Sequence, residues 1–201
     1  SGKTIVALAA GSYHALALAS DGTVYGWGHN AEGELGNNST ASSTVPVAVN
    51  TSGVLNGKTV TAIAAGNTHS LALASDGNLY SWGGNAHGVL GNNSTSTSLV
   101  PVAVLMNGVL SGKTVTDIAS AYLHNVVLAS DGTVYTWGAG VVGELGNGPA
   151  TSSSVPVAVS VSGVLSGKTV TAIATGLLHS MALTSDGNLY SWGEGNNGQL
   201  G

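Results

Sequence analysis

Short runs of alternating hydrophobic and polar residues follow one another along the chain. TVTAIAA (59–65), HSLALAS (69–75) and NLYSWG (78–83) alternate with a period of two residues. Such alternation predicts β-strands that bury one face. A fourth strand is predicted at LVPVAV (99–104), where Pro101 lacks an amide proton and is tolerated mainly on an edge strand. The pattern therefore predicts a four-stranded antiparallel sheet with this last strand outermost.

A turn signal separates the second and third predicted strands. Ser75, Asp76 and Gly77 stand there, and the same triplet recurs at 20–22, 130–132 and 185–187. An Asp-Gly pair between alternating runs predicts a tight hairpin. We expect a type I′ turn, in which both central residues have a positive φ.

The whole pattern repeats every 55 residues, which divides the chain into repeats 1–55, 56–110, 111–165 and 166–201. The residues that recur at this interval include Trp27, Trp82, Trp137 and Trp192, and also His14, His69, His124 and His179. A fixed period of this size predicts a solenoid or a propeller. We predict an all-β propeller of four-stranded antiparallel blades, with the Ala-rich first two strands near the axis and each tryptophan packed between neighbouring blades.

The fourth repeat ends at Gly201 and lacks the counterpart of residues 37–55. We therefore expect an incomplete last blade. Three arrangements stay open: the repeats are part of a larger ring, they form an open arc, or the unpaired edge takes a strand from another copy. The opening SGKT, without an initiator Met, suggests a piece of a longer protein.

One repeat carries a family resemblance. The string AAGxxHSLALASDGNLYSWGxNxxGxLG at 64–91, echoed at 9–36, 119–146 and 174–201, resembles the repeat of the regulator of chromosome condensation family. The resemblance implies a seven-bladed propeller that serves in protein recognition. The composition is most similar to that of the bacterial secreted and surface members of that family, so we expect an extracellular or cell-surface location and no enzymatic activity.

Composition excludes several partners. Charged residues make up 6% of the chain, with four Lys, no Arg and nine acidic residues, for a net charge of −5. Such a chain cannot neutralise a run of phosphates, which argues against nucleic acid. The absence of Cys excludes disulfides and thiolate metal sites. No apolar run approaches the length of a membrane-spanning helix, so we expect no membrane insertion.

The recurring histidines stand at the start of each second strand. A ring of imidazoles could suggest a metal site, but equivalent positions in successive blades diverge, and we expect each histidine to bond a neighbouring backbone group instead. His29 and His87 occur once each and are expected on loop surface. No Ser lies in a GxSxG elbow, and the GKT triplets lack a phosphate-loop frame. We therefore predict no catalytic residue, no metal site and no cofactor.

The repeats differ most in two loops, after the first and the third strand, which strand alternation places on one face. Apolar residues gather there: Tyr13, Tyr122, Leu123, Val141, Val142, Leu177 and Leu178. They either form a partner surface or fold back over the blade ends. The first alternative predicts a scaffold that binds a protein or a glycan. A competing hypothesis is a subunit of a self-assembling fibre or sheath, completed by strand exchange between copies.

Overall fold

The computed structural model describes residues 2–201, which form four antiparallel sheets in chain order. The first three sheets each pair their four strands in sequence order, and the fourth sheet has three strands. The strands are β1 Ile5–Ala10, β2 His14–Ala19, β3 Val24–Gly28, β4 Ser43–Ala48, β5 Val60–Ala65, β6 His69–Ala74, β7 Leu79–Gly83, β8 Ser98–Ala103, β9 Val115–Ser120, β10 His124–Ala129, β11 Val134–Gly138, β12 Ser153–Ala158, β13 Val170–Thr175, β14 His179–Thr184 and β15 Leu189–Gly193. The predicted all-β architecture of antiparallel blades is confirmed.

The order of strands within a blade runs from the axis outward. The first strands of the blades, β1, β5, β9 and β13, lie next to one another. The strands that carry proline, β4, β8 and β12, form the outer edges. Small side chains on the first two strands allow the inner ends of the blades to approach, and proline stands where its missing amide proton leaves no pairing incomplete.

The hairpins between second and third strands are present, but the predicted turn type is wrong. In the second blade Gly77 N donates to Ala74 O at 2.9 Å and Ala74 N donates to Asn78 O at 3.0 Å. Gly77 has a φ of +80°, whereas Asp76 has a negative φ. This is a three-residue loop closed by a left-handed glycine, and not a two-residue type I′ turn. The Asp76 carboxylate accepts the Asn78 amide proton at 3.1 Å, which explains the aspartate without a positive φ.

The hydrophobic core lies between blades, not within them. Leu71 and Leu73 of β6 face the third blade, while Ala72 and Ala74 of the same strand face the first. The period-two alternation of this strand thus places its leucines on one face of the sheet and its alanines on the other, where Tyr80 and Trp82 of β7 also lie. Each seam packs leucine or valine side chains of one blade's second strand against the tyrosine and tryptophan of the next blade.

The outer faces of the end blades expose residues whose counterparts are buried. Leu183 and Leu189 in the fourth blade are exposed, whereas Leu128 and Val134 at the same positions in the third are buried. Ile5 is exposed in the first blade, and its counterpart Val60 is buried. Residues 2–201 contain no helix of the length and apolarity that crossing a bilayer requires.

Candidate protein-binding face

The two variable loops of each blade lie together at one end of the propeller. In every blade the residue that follows the third strand donates its amide proton to a carbonyl of the first loop. These bonds are His29 N to Tyr13 O, Gly84 N to Thr68 O, Ala139 N to Leu123 O and Glu194 N to Leu178 O, all between 2.7 and 2.9 Å. We call this end, formed by the loops after the first and third strands, the loop face.

At its centre the loop face has a hollow of about 310 Å³. All four blades contribute equivalent residues to it, from the ends of the first strands and the loops that follow. Small residues and backbone line the wall, with Tyr122 and Leu177 on the rim. The hollow is open, so side chains on its rim are accessible to a partner.

Most of the predicted apolar candidates are exposed on this face. Tyr13 is 73% exposed, and Val141 and Leu177 are each 62% exposed. Tyr122 and Val142 are also exposed. Leu123 and Leu178 are half-buried. Five of the seven candidates are thus exposed and two are partly covered, and their role in binding a partner stays a prediction.

The charges of the chain divide between its two ends. Each lysine pairs with the aspartate of its own hairpin, at the end opposite the loop face; the pairs are Lys3 with Asp21, Lys58 with Asp76, Lys113 with Asp131 and Lys168 with Asp186, at 2.5 to 2.7 Å. The lysine raises the ionised fraction of its partner and lowers the pKa of Asp76 to about 2. Of the nine acidic residues, this leaves Asp117 and four glutamates without a lysine. All four glutamates, Glu32, Glu34, Glu144 and Glu194, lie in the long loops of the loop face.

One of these glutamates is capped by a histidine. His29 Nδ1 lies 2.7 Å from Glu34 Oε1, and the other carboxylate oxygen accepts the Glu32 amide proton at 2.9 Å. The Glu34 side chain is 1% exposed, whereas that of His29 is 46% exposed. The imidazole therefore covers the buried carboxylate from the solvent side.

The recurring histidines lie in the seams between blades, and the expectation of a backbone partner is wrong. His14 Nε2 bonds Ser70 Oγ at 2.9 Å, His69 Nε2 bonds Asn125 Oδ1 at 3.0 Å, and His124 Nε2 bonds Ser180 Oγ at 2.9 Å. Each thus has a side-chain partner in the next blade, 56 residues further along, and His69 Nε2 also lies 2.9 Å from Ser120 Oγ of that blade. His179, in the last blade, is half-buried. Within residues 2–201, no cluster of three or more His, Cys, Asp or Glu side chains could hold a metal ion.

Burial keeps the seam histidines neutral. Desolvation lowers the pKa of His14, His69 and His124 to about 4. A nearby histidine lowers the pKa of His69 and His124 further, and the neighbouring Glu34 opposes the decrease for His14. A neutral imidazole can donate from one nitrogen only, so these residues act as fixed hydrogen-bond donors and not as acid–base groups.

The tryptophans complete the same seams. Trp82 and Trp137 are fully buried, and their Nε1 atoms donate at 2.8 Å to the carbonyls of Glu34 and Val89 in the preceding blade. Trp192 makes the equivalent bond to Glu144 O at 2.9 Å. Trp27 and Trp192, in the end blades, are partly exposed. The carbonyl of Glu34 accepts a proton from Ser70 as well, so one backbone oxygen joins the tryptophan and histidine networks.

Sequence reasoning did not identify the pairing of His29 with Glu34. The signal in the period was partial, because two repeats combine polar residues five apart at this point, His29 with Glu34 and Glu194 with Gln199. The pair Gly84 and Val89 has neither polar group, and Ala139 with Glu144 keeps only the carboxylate. Gln199 Nε2 donates to Glu194 Oε2 at 3.3 Å in the fourth blade. Comparison of the repeats at these two positions would have indicated a contact in the first and fourth blades only.

Known proteins share both the sequence and the fold. The ultraviolet-B receptor UVR8 of Arabidopsis thaliana is 35% identical over 200 residues, which cover 100% of this chain and 43% of the receptor. The crystal structure of human WBSCR16 superposes with a TM-score of 0.87 at 31% identity, over 100% of this chain and 50% of that one. Prp20p from Saccharomyces cerevisiae gives a TM-score of 0.82 at 25% identity, over 100% and 48% of the two chains. The chain therefore spans about half the length of these relatives.

The blades, their seams and the repeat motif agree with one family. The sequence model of the RCC1-like domain matches residues 1–201. Together with the identity to the relatives named above, this match covers every repeat of the chain. The chain belongs to the family of RCC1-like domains.

Proposed function

We propose that this domain is a non-catalytic scaffold that binds a protein partner through the loop face. One observation supports this most directly. Tyr13, Tyr122, Val141, Val142 and Leu177 are exposed on the face that also holds all four glutamates, whereas the opposite end carries neutralised Lys–Asp pairs. Exposed aromatic and aliphatic side chains gathered on one loop face are typical of partner surfaces.

The charge of the loop face indicates the kind of partner. Two of the four glutamates on the face, Glu32 and Glu194, reach the solvent, and among residues 2–201 the face has no lysine or arginine, since every lysine lies at the other end. A partner with basic and apolar side chains is complementary to such a surface. Prp20p, which has the same fold, binds Gsp1p and histones, and this supports protein recognition as a use of the fold.

The test is capture from an extract of the source organism with three forms of the domain. The first is the unchanged domain, and the second carries Tyr122→Ser, Val141→Ser and Leu177→Ser, which alter only exposed side chains. The third is a matched control with Lys58→Ala and Asp76→Ala, which preserves the net charge and changes the opposite end. Thermal unfolding of all three establishes that they are folded.

The proposal requires that a specific protein be retained by the unchanged domain and by the control, and be lost with the triple variant. Titration calorimetry with the purified partner should show weaker binding at higher salt, because exposed charges are screened within about 10 Å at 0.1 M ionic strength. Equal retention by all three forms would contradict the proposal. Retention that is competed by free sugars would instead indicate a glycan ligand.

Self-assembly is a second candidate, favoured by the apolar residues on the end blades. Leu183 and Leu189 would be buried if another blade stacked on the fourth. However, the position of Ser70 is occupied by Ala15 in the first blade, so His179 of one copy would meet no acceptor there in another. Light scattering and electron microscopy of the purified chain distinguish the candidates: ordered polymers support a fibre or sheath, and a monodisperse particle excludes it.

We further propose that the domain functions outside the cell or at its surface. The low charge content of 6% and the Ser-, Thr- and Asn-rich loops support this location. Fractionation of source cells with an antibody against the domain tests it. Recovery only from the cell interior would contradict the proposed location without affecting the proposed binding.

A further inference from the structure

The long loop of the third blade, residues 139–152, buries two hydrogen-bond acceptors that have no donor. Glu144 is fully buried, and its Oε1 atom has no partner among the described residues. Its other oxygen accepts the Val142 amide proton at 3.0 Å. Asn147 Oδ1 is likewise buried and unpartnered. Buried acceptors are rarely left unpaired, because they have lost their bonds to water.

The first blade shows which donors are missing. There His29 Nδ1 hydrogen-bonds to Glu34 Oε1 at 2.7 Å, and Asn30 Nδ2 donates to Asn37 Oδ1 at 3.3 Å. At the two positions of His29 and Asn30 the third blade has Ala139 and Gly140. Both donors are therefore absent while both acceptors are retained. The fourth blade provides its own donor, Gln199, to Glu194, and the second replaces the glutamate by Val89.

The presence of Gly140 at the position of Asn30 also removes the hydrogen bonds that hold the loop together. Asn30 ties its loop together with four hydrogen bonds, to Ser39 O, Ala41 O, Asn37 Oδ1 and the Leu35 amide, and Asn85 makes four equivalent bonds in the second blade. Gly140 has no side chain to make them. A loop with fewer internal bonds opens at a lower free-energy cost. Glu144 is fully buried, so a partner reaches its carboxylate only when this weakly tied loop opens, at the position that His29 occupies in the first blade.

The chemistry of the site selects a cation. Glu144 has no lysine on its face of the molecule, and the chain contains no arginine. The exposed Val141 and Val142 lie beside it in the sequence and offer an apolar wall to an aliphatic stem. A guanidinium group has several N–H donors in one plane and can serve a carboxylate and a further acceptor together, which the ammonium of lysine does less well.

We propose that the third-blade loop binds an arginine side chain of the protein partner. A guanidinium N–H donates to Glu144 Oε1, Asn147 Oδ1 is available to a further N–H, and the aliphatic stem lies against Val141 and Val142. The bound arginine takes the place that His29 occupies in the first blade. This inference rests on the proposed function, since it names one group that the partner presents to the loop face.

The experiment uses NMR of the isotopically labelled chain with N-acetylarginine amide as the probe. The neutral isostere N-acetylcitrulline amide is the control ligand. We expect saturable shifts at the amides of Val141, Val142 and Glu144 with the arginine probe, and at least about tenfold weaker binding of the citrulline probe, as expected when a charge-assisted hydrogen bond is lost. Equal binding of both probes would overturn the proposal.

Two variants of the third blade and one of the first make the test specific. Glu144→Gln removes the charge and should weaken binding by about tenfold. Ala139→His supplies the donor internally and should abolish the response. His29→Ala should create a second site, seen as new shifts at Glu32 and Glu34. A response that survives Glu144→Gln and Ala139→His, or no new site in folded His29→Ala, would contradict the assignment.

The outcome is separable from that of the proposed function. If partner capture is lost with the Tyr122, Val141 and Leu177 variant but unchanged in Glu144→Gln, the loop face binds a partner and the arginine site is wrong. If neither variant affects capture, both proposals are wrong. Loss of capture in both variants supports both proposals.

Discussion

His14 of the first blade donates its Nε2 proton to Ser70 of the second, across 2.9 Å. The direction follows from Ser70, whose single hydroxyl proton goes to the carbonyl of Glu34 at 2.8 Å, so that its oxygen must accept from the imidazole. Asn125 imposes the same direction on His69, because its amide group donates to Val89 O at 2.8 Å and leaves Oδ1 for the histidine. Each seam therefore contains a relay from an imidazole, through a polar side chain, to a backbone carbonyl.

Replacement of Ser70 by alanine should leave a buried hydrogen-bond donor without an acceptor. In Ser70→Ala the Nε2 proton of His14 loses its acceptor, and we expect the free energy of unfolding to decrease by about 1 to 3 kcal/mol. Urea denaturation followed by circular dichroism measures the change. Ala15→Ser alters the same position in the first blade, which faces no preceding blade within residues 2–201, and should be nearly neutral. Equal effects of the two substitutions would show that the relay does not stabilise the seam.

The seam histidines should make the protein sensitive to mild acid. Their pKa in the folded chain, about 4, lies below the ordinary value of 6.5, so between these values the unfolded chain binds more protons. The free energy of unfolding is then highest above pH 6.5 and decreases as the pH falls toward 4. Three such groups correspond to a limiting slope of about 4 kcal/mol per pH unit.

Denaturant unfolding at a series of pH values between 7 and 4 measures this slope. In His69→Gln the slope should decrease by one proton, or about 1.4 kcal/mol per pH unit. The hairpin aspartates, whose folded pKa of about 2 lies below the ordinary value of 3.8, add to the slope only below about pH 5, so the contribution of the histidines is measured between pH 6.5 and about 5. A slope that is the same with and without His69 would contradict the assignment of the pH dependence.

The repeat period and the alternation within each repeat were sufficient to predict the architecture. The number of strands in each blade, their pairing order and the outer position of the strand with Pro101 follow from local signals, namely the alternation of residues, the Asp-Gly turns and the proline. The turn type was missed because Asp76 acts through its side chain, accepting the Asn78 amide, and not through a left-handed backbone. Composition alone does not distinguish these two uses of aspartate.

The partner of each seam histidine could not be deduced from one repeat. It lies 56 residues away in another sheet, and its position depends on how neighbouring blades stack. The period nevertheless contained a clue, since Ser70, Asn125 and Ser180 are polar and Ala15, with no described blade before it, is not. The unpaired carboxylate of Glu144 could not be predicted from its own position either. It results from another residue, Ala139, which stands where the first blade has the donor His29.

Loss of a seam tryptophan should be among the most destabilising single changes. Trp82 is fully buried between the first two blades and donates to Glu34 O. Trp82→Ala should lower the free energy of unfolding by about 3 to 5 kcal/mol, as expected for a large core cavity. Trp82→Phe keeps most of the apolar volume and isolates the hydrogen bond, at about 1 kcal/mol for the lost bond.

Trp27 provides the comparison, because it has the equivalent position in the first blade, paired with Ala15 where Trp82 is paired with Ser70, but is partly exposed. Trp27→Ala should cost clearly less than Trp82→Ala in the same urea experiment. A cost for Trp27→Ala as large as that for Trp82→Ala would place the stabilising contacts of these residues within the blade. That result would contradict the inter-blade role.

Gly91 of the second blade lies against the tryptophan of the third. Its φ is +64°, and a Cβ atom there would lie 2.8 Å from Trp137 Nε1 and 3.0 Å from Val104 Cγ1. Gly91→Ala therefore combines the strain of a left-handed alanine with overpacking against a buried indole, and should cost about 2 to 4 kcal/mol. Gly57 has a similar φ of +71°, but a Cβ atom there meets nothing within 4 Å. Gly57→Ala should cost only about 1 kcal/mol, so the difference between the two variants measures how tightly the blades pack at the indole, and equal costs would mean that the seam can relax around the added methyl group.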